Sequence, residues 1–125
     1  MQPNAQITVV VLKGPSLTGM QEIADTQRQL TAVAEKGAAV WLAIDMGELQ
    51  IIASAAVGML VGVRKLVKER RGRMVIFGVK SEALKRVMNA TMLKVLFPIA
   101  ERQEDLTEAF GRIPTMRSWQ EDARR

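Results

Sequence analysis

Residues 39–78 read AVWLAIDMGELQIIASAAVGMLVGVRKLVKERRGRMVIFG and contain the clearest pattern of secondary structure in the chain. The apolar run that ends at Asp45 is typical of a central strand, and a second such run lies at Met74–Val79. Between them, Ser54 stands directly before a helical pattern that we place from about Ala55 to Arg70. This order of strand, helix and strand predicts a parallel pair joined by a crossover helix.

The flanking sequence continues the same alternation. Before this stretch, residues 7–12 form a β-branched run, and a helix is predicted from Leu17 or Met20 to Lys36. After it, we predict a helix from Ser81 to about Asn89, a helical turn before a brief strand at 97–99, and a helix at 105–110. The sequence therefore predicts one α/β domain over residues 1–112, with a mostly parallel sheet of four or five strands. Residues 113–125 are expected to form a tail or an extra helix.

Composition removes most kinds of catalytic site. The 125 residues contain no Cys and no His, so thiolate nucleophiles, imidazole acid–base chemistry and the common transition-metal ligand sets are absent. No phosphate-binding glycine loop or nucleophile–base pair occurs either. We therefore expect a protein that is not an enzyme and that needs no cofactor or metal.

Hydropathy argues against a membrane span or a secretion signal. The longest apolar run, Ile51–Val63, has 13 residues and includes Ser54, whereas a spanning helix needs about 20. No basic and apolar leader opens the chain. The expected location is the cytoplasm.

Positive charge is concentrated in one region. The chain has a net charge of +5, and between Arg64 and Arg86 nine cations face two acids, Glu69 and Glu82. Such a run invites a nucleic-acid or anionic-lipid partner, but no aromatic residues are interleaved for stacking on bases. We favour a solvated helix end and turn, without a nucleic-acid partner.

Ser54 has two interpretations. A serine directly before a helix caps it, which contributes about 0.5 to 2 kcal/mol. A hydroxyl at a helix start is also open to a kinase, and a phosphate there meets free backbone amides and the positive end of the helix.

The helix that follows carries three further features. Gly58 and Gly62 are expected to allow close packing of the helix on the sheet. Ala55, Ala56 and Val57 either form a shallow surface patch for a partner helix or are buried. Asp45, at the end of its strand, is interpreted as an anchor for the following loop.

Residues 42–97 resemble the STAS domain, named for sulfate transporters and anti-sigma factor antagonists. The matching features are Ile44–Asp45 at a strand end, the small-residue helix start with Ser54 and Gly58, the turn 71–73, and the closing segment 91–99, TMLKVLFPI. The family usually has Asp-Ser-Ser-Gly where this chain reads Ala53-Ser54-Ala55-Ala56, so it resembles a divergent member. The segment before residue 7 is shorter than the family's usual first strand requires.

The resemblance implies a bacterial signalling module that regulates transcription. Family members of the anti-sigma factor antagonist kind bind an anti-sigma serine kinase, are phosphorylated on the first serine of that motif, here Ser54, and are restored by a phosphatase. The implied partner-binding residues are Pro15, Ser16, Leu17, Leu49, Gln50, Ile51, Ile52, Ser54, Ala55, Ala56, Val57 and Gly58. The alternatives are a constitutive scaffold without phosphorylation and a basic surface that binds nucleic acid or anionic lipid.

Overall fold

The computed structural model describes residues 7–37 and 39–111, and in them a parallel sheet carries helices on both faces. The elements in chain order are β1 (Ile7–Val11), β2 (Ser16–Leu17), α1 (Met20–Ala34), β3 (Trp41–Asp45), β4 (Ile51–Ile52), α2 (Ser54–Glu69), β5 (Arg73–Phe77), α3 (Glu82–Ala90), α4 (Leu93–Leu96), β6 (Ile99–Ala100) and α5 (Leu106–Gly111), with a 3-10 turn at Gln103–Asp105 before α5.

The main sheet has four strands in the order β1-β3-β5-β6, and every neighbouring pair is parallel. Ala43 pairs with Val9 on one side and with Val75 on the other. The predicted α/β class, with a mostly parallel sheet of four strands and alternating helices, is confirmed.

Strand order explains where the helices lie. Neighbouring strands of the main sheet follow one another along the chain, so crossovers of one hand place their helices on the same face. The larger core accordingly unites α1, α2, α3 and α4 with alternate sheet residues such as Val10, Leu42 and Ile76. Among the described helices, only α5, which follows the last strand, covers the other face of the sheet. It packs over Ala43, Val75 and Phe77.

The helix α5 is fastened by an aromatic and cationic stack. The rings of Trp41 and Phe110 stack with centroids 5.0 Å apart, and the Arg73 guanidinium lies 4.4 Å from the Trp41 ring centroid. Arg73 Nη1 also donates to the carbonyl oxygen of Phe110 at 3.1 Å. Desolvation by this packing lowers the pKa of Arg73 below its usual value.

Several predicted boundaries are shifted. The second helix begins at Ser54 instead of Ala55, and the brief last strand lies at Ile99–Ala100 instead of 97–99. The strands β2 and β4 were not predicted, because two residues show no periodicity. The predicted tail, residues 113–125, lies outside the described residues.

Candidate partner-binding site

A two-stranded sheet joins two stretches that are distant in the sequence. Ser16 pairs with Ile51 and Leu17 with Ile52, in parallel. The Pro15 carbonyl oxygen accepts hydrogen bonds from the amides of Gln50 at 2.7 Å and Ile51 at 3.4 Å. The two predicted partner-binding stretches, 15–17 and 49–52, therefore lie side by side.

Gly14 permits this close approach. A Cβ at position 14 would lie 1.9 Å from the carbonyl oxygen of Glu48, so no other residue fits without moving the loop. The Gly14 amide also donates to Glu48 Oε1 at 3.4 Å. The loop before β2 is in this way held against the loop before β4.

The paired strands also bring two helix starts together. The carboxyl end of β2 leads through two residues to Met20, and that of β4 leads through Ala53 to Ser54. The Ala53 amide donates to the Leu17 carbonyl oxygen at 3.1 Å, which ties the two ends to each other. Since β2 and β4 are parallel, the amino termini of α1 and α2 lie at the same end of the small sheet.

Ser54 is the first residue of α2, and its interpretation as the cap is wrong. The capping position is occupied by Ala53, whose side chain has no acceptor. The Ala53 carbonyl oxygen accepts from the amides of Ala56 and Val57, whereas the amides of Ser54 and Ala55 have no backbone partner among the described residues. The Ser54 side chain is exposed, and its hydroxyl makes no hydrogen bond within the part of the chain that the structure describes.

Burial divides the twelve implied partner-binding residues into three groups. The exposed ones are Pro15, Gln50, Ile51, Ser54, Ala55 and Gly58. Ser16 and Val57 are half-buried, and Leu17, Leu49, Ile52 and Ala56 are buried in the larger core. Of the two alternatives left open for Ala56, burial is the correct one, because this residue is 0% exposed and does not belong to a surface patch.

The two glycines of α2 do not pack against the sheet, which corrects the expectation for them. Gly58 and Gly62 are both exposed, and a Cβ added at either would meet nothing within 4 Å. They leave the outer surface of α2 flat beside Ser54 and Ala55. The close approach to a neighbouring element occurs instead at Gly72, where a Cβ would lie 2.4 Å from the Val40 carbonyl oxygen.

Sequence reasoning missed Met20 as a surface residue. Its spacing of three residues from Ile23 is typical of one apolar helix face, but it is 87% exposed. Ile51, which was implied by resemblance, is 49% exposed. Two large apolar side chains are thus open to solvent at the end of the molecule where the helices α1 and α2 begin.

Three arginines of the basic run make hydrogen bonds that stabilise the tertiary structure. Arg64 Nε donates to the Leu96 carbonyl oxygen at 2.9 Å, and Arg70 Nε donates to the Ala34 carbonyl oxygen at 3.1 Å. Together with Arg73, these residues join helices and strands through backbone carbonyl groups. For these three arginines the interpretation as a purely solvated helix end and turn is wrong, because each is half-buried and makes a tertiary hydrogen bond.

The remaining site expectations concern carboxylates, metals and membranes. Asp45 Oδ1 accepts from the Gly47 amide at 2.8 Å, as expected of a loop anchor. Within residues 7–37 and 39–111, no group of three or more Asp, Glu, His or Cys side chains is arranged to hold a metal ion. None of the helices described there is long and apolar enough to cross a membrane.

Comparisons with known proteins agree with this architecture. No curated protein sequence matches the chain. A candidate anti-sigma factor antagonist from Thermotoga maritima is similar in fold, with a TM-score of 0.70, 18% identity, and coverage of 86% of this chain and 92% of that one. An anti-sigma-factor antagonist (STAS) domain protein from Planctomyces limnophilus has a TM-score of 0.72 and 21% identity, with 85% and 92% covered. The family model of the STAS domain matches residues 2–106, and the chain belongs to the STAS domain family.

Proposed function

We propose that this domain is a non-enzymatic cytoplasmic regulator that binds an anti-sigma serine kinase, and that phosphorylation of Ser54 weakens this binding. One observation carries the proposal: Ser54 is exposed at an uncapped helix start, at the end of the molecule where the apolar side chains of Ile51 and Met20 are exposed. The anti-sigma factor antagonists of similar fold support the choice of partner.

The binding surface consists of the exposed residues around the small sheet. Ile51 and Met20 offer large apolar side chains, while Ala55 and Gly58 leave room for an approaching partner element. Apolar residues that are exposed together at one end of a small domain mark a protein-interaction site. The backbone hydrogen bonds from Gln50 and Ile51 to Pro15 hold this surface in place before a partner binds.

Electrostatics at the start of α2 supports the switch. A phosphate on Ser54 would lie next to the unpartnered amides of Ser54 and Ala55, at the positive end of a 16-residue helix. The first turn of α2 contains no acidic residue to repel it. The free domain tolerates the modification for these reasons, but a partner surface packed on Ala55 and Ile51 would have to desolvate about −1.5 to −2 charges.

The test is phosphorylation with the purified anti-sigma kinase encoded nearest to this gene, followed by peptide mass spectrometry. We expect phosphate on Ser54 and not on Ser81, whose hydroxyl is engaged in two hydrogen bonds. The phosphorylated domain should bind the kinase at least about tenfold more weakly than the unmodified domain, and Ser54→Asp should show a smaller loss. A phosphatase that removes the phosphate should restore binding.

Variants separate the switch from a constitutive scaffold. Ile51→Asp and Ala55→Arg should weaken kinase binding without unfolding the domain, because both side chains are exposed. Val95→Asp makes the same apolar-to-acidic change as Ile51→Asp at an exposed residue on α4, outside the proposed surface, and serves as the matched control. Equal affinity of the phosphorylated and unmodified domains would exclude the switch and leave the scaffold.

A further inference from the structure

The strand β1 is an edge strand of the main sheet in the part of the chain that the structure describes. Within the described residues it pairs with β3 alone, at the opposite end of the sheet from β6. Leu12, just after the strand, donates its amide to the Asp45 carbonyl oxygen at 3.0 Å, so its backbone groups face β3. Because backbone groups alternate along a parallel strand, those of Ile7, Val9 and Val11 point away from β3 to the open side. This edge therefore offers three amide donors and three carbonyl acceptors.

The same three residues also lie on the less covered face of the sheet. Val9 is in register with Ala43, which belongs to the smaller core beneath α5. Ile7 packs partly against that core, but Val9 is 37% and Val11 43% exposed. The helix α5 lies over β5 and β6 and reaches β3 through the stack of Phe110 on Trp41, and within the described residues Val9 and Val11 remain partly exposed beyond it.

The residue types of β1 favour pairing with another strand. Exposed edge strands are normally protected by charged residues, proline or bulges. Residues 7–12 contain no charged residue and no proline, and four of the five residues of β1 are Ile or Val. Nothing in the strand itself repels a second uncharged strand.

We propose that β1 is the contact between two copies of this chain, which pair antiparallel about a two-fold axis at Val9 and form a continuous eight-stranded sheet. In that register Ile7 of one copy lies opposite Val11 of the other, and the two Val9 residues face each other. The backbone groups of Ile7, Val9 and Val11 that point away from β3 are then all paired. The side chain of each of these residues lies opposite an Ile or Val side chain of the other copy. A two-fold contact requires a self-complementary surface, and a strand that is β-branched at Ile7, Val9 and Val11 meets this requirement.

The association is tested on the full chain by sedimentation velocity over a range of concentrations. We expect a concentration-dependent dimer of the wild type. Val9→Lys places two like charges opposite each other at the axis and should raise the dimer dissociation constant at least about tenfold. Val11→Lys, at the more exposed position, should act in the same direction and replaces Val9→Lys if that variant unfolds. Val95→Lys, an equally drastic change at an exposed apolar residue on α4, should leave the dimer unchanged.

Amide hydrogen exchange identifies the contact itself. The amides of Val9 and Val11 should be protected at high protein concentration and lose protection on dilution, whereas that of Val10, which bonds within the sheet, should stay protected throughout. A monomer at all concentrations overturns the proposal. So does a dimer that Val9→Lys and Val11→Lys leave unchanged, or protection of Val9 and Val11 that does not depend on concentration. None of these results bears on the kinase-binding surface, which lies around β2 and β4.

Discussion

Two helices of this domain start at or directly after a serine, and the two serines have different roles. Ser81 precedes α3 as a true cap: its Oγ accepts from the Leu84 amide at 3.2 Å and donates to the Gln50 carbonyl oxygen at 3.0 Å. Ser54 is the first residue of α2, and Ala53 occupies the capping position there. The Ser54 hydroxyl makes no hydrogen bond to the described residues. The Ser81 hydroxyl therefore stabilises the fold, whereas the Ser54 hydroxyl is accessible for modification.

The third residue of each helix, in contrast, has the same role. Ala56 in α2 and Leu84 in α3 are both 0% exposed and belong to the larger core. Both helices are therefore anchored by packing, and only α3 adds a side-chain cap. Because tertiary packing supplies most helix stability in proteins, α2 can begin without a cap. The unpartnered amides at its start then remain available for an anion.

Among these variants, we expect the greatest loss of stability from a substitution at the buried third residue of α2. Ala56→Arg should lower the free energy of unfolding by at least about 3 kcal/mol, because it forces a long charged side chain into a packed apolar site. Ala55→Arg, one residue earlier and exposed, should stay within about 0.5 kcal/mol of the wild type. Urea unfolding followed by circular dichroism measures both, and equal effects would contradict the assigned burial.

Removing the cap of α3 should have the next largest effect. Ser81→Ala leaves the Leu84 amide and the Gln50 carbonyl oxygen without this partner, and should destabilise the domain by about 1 to 2 kcal/mol. Ser81→Asp retains an acceptor for the amide and should recover part of the loss. The same urea titration tests the pair, and an unchanged Ser81→Ala variant would show that this serine is no cap.

A serine introduced at the capping position of α2 should stabilise the domain. Ala53 already has the extended backbone of a capping residue, with φ −84° and ψ 160°. Ala53→Ser should therefore raise the free energy of unfolding by about 0.5 to 1 kcal/mol. Ala55→Ser introduces the same side chain inside the helix and should not stabilise it. Thermal unfolding of the two variants side by side distinguishes capping from a general effect of serine.

The smallest effect is expected at Ser54 itself. Ser54→Ala removes no hydrogen bond to the described residues, and alanine is the better helix former. The free energy of unfolding should change by less than about 0.5 kcal/mol, instead of the 0.5 to 2 kcal/mol expected of a cap. A larger loss, measured by urea unfolding, would mean that the hydroxyl has a structural partner after all.

Local patterns were sufficient for most of the secondary structure. The apolar run before Asp45 and the run around Ile76 are strands, because continuous β-branched and apolar residues suit a strand covered on both faces. The helix after β4 was placed to within one residue at each end, since its 3.6-residue period and its stop at Arg71–Gly72 are local signals. Arg71 indeed takes a positive φ of 65° after the helix.

The candidate site was only partly predictable. Ser54, Ile51 and Pro15 were named from the family resemblance, and all three are exposed. Their proximity depends on β2 and β4, whose two-residue pairing has no periodic signature in the sequence. Met20 was missed because helical spacing alone does not reveal that the first turn of α1 projects beyond the core.

Sequence patterns were enough to establish the alternation of strands and helices, the absence of cysteine and histidine chemistry, and the small-residue start of α2. Tertiary structure alone decided that Ala56 is buried while Ala55 is exposed, that Gly58 and Gly62 face solvent, and that Arg64, Arg70 and Arg73 bind distant carbonyl groups. The physical reason is that periodicity and capping signals act within a few residues along the chain. The burial of a small side chain and the partner of a long one depend instead on which element packs opposite, and residues more than thirty positions away supply that element.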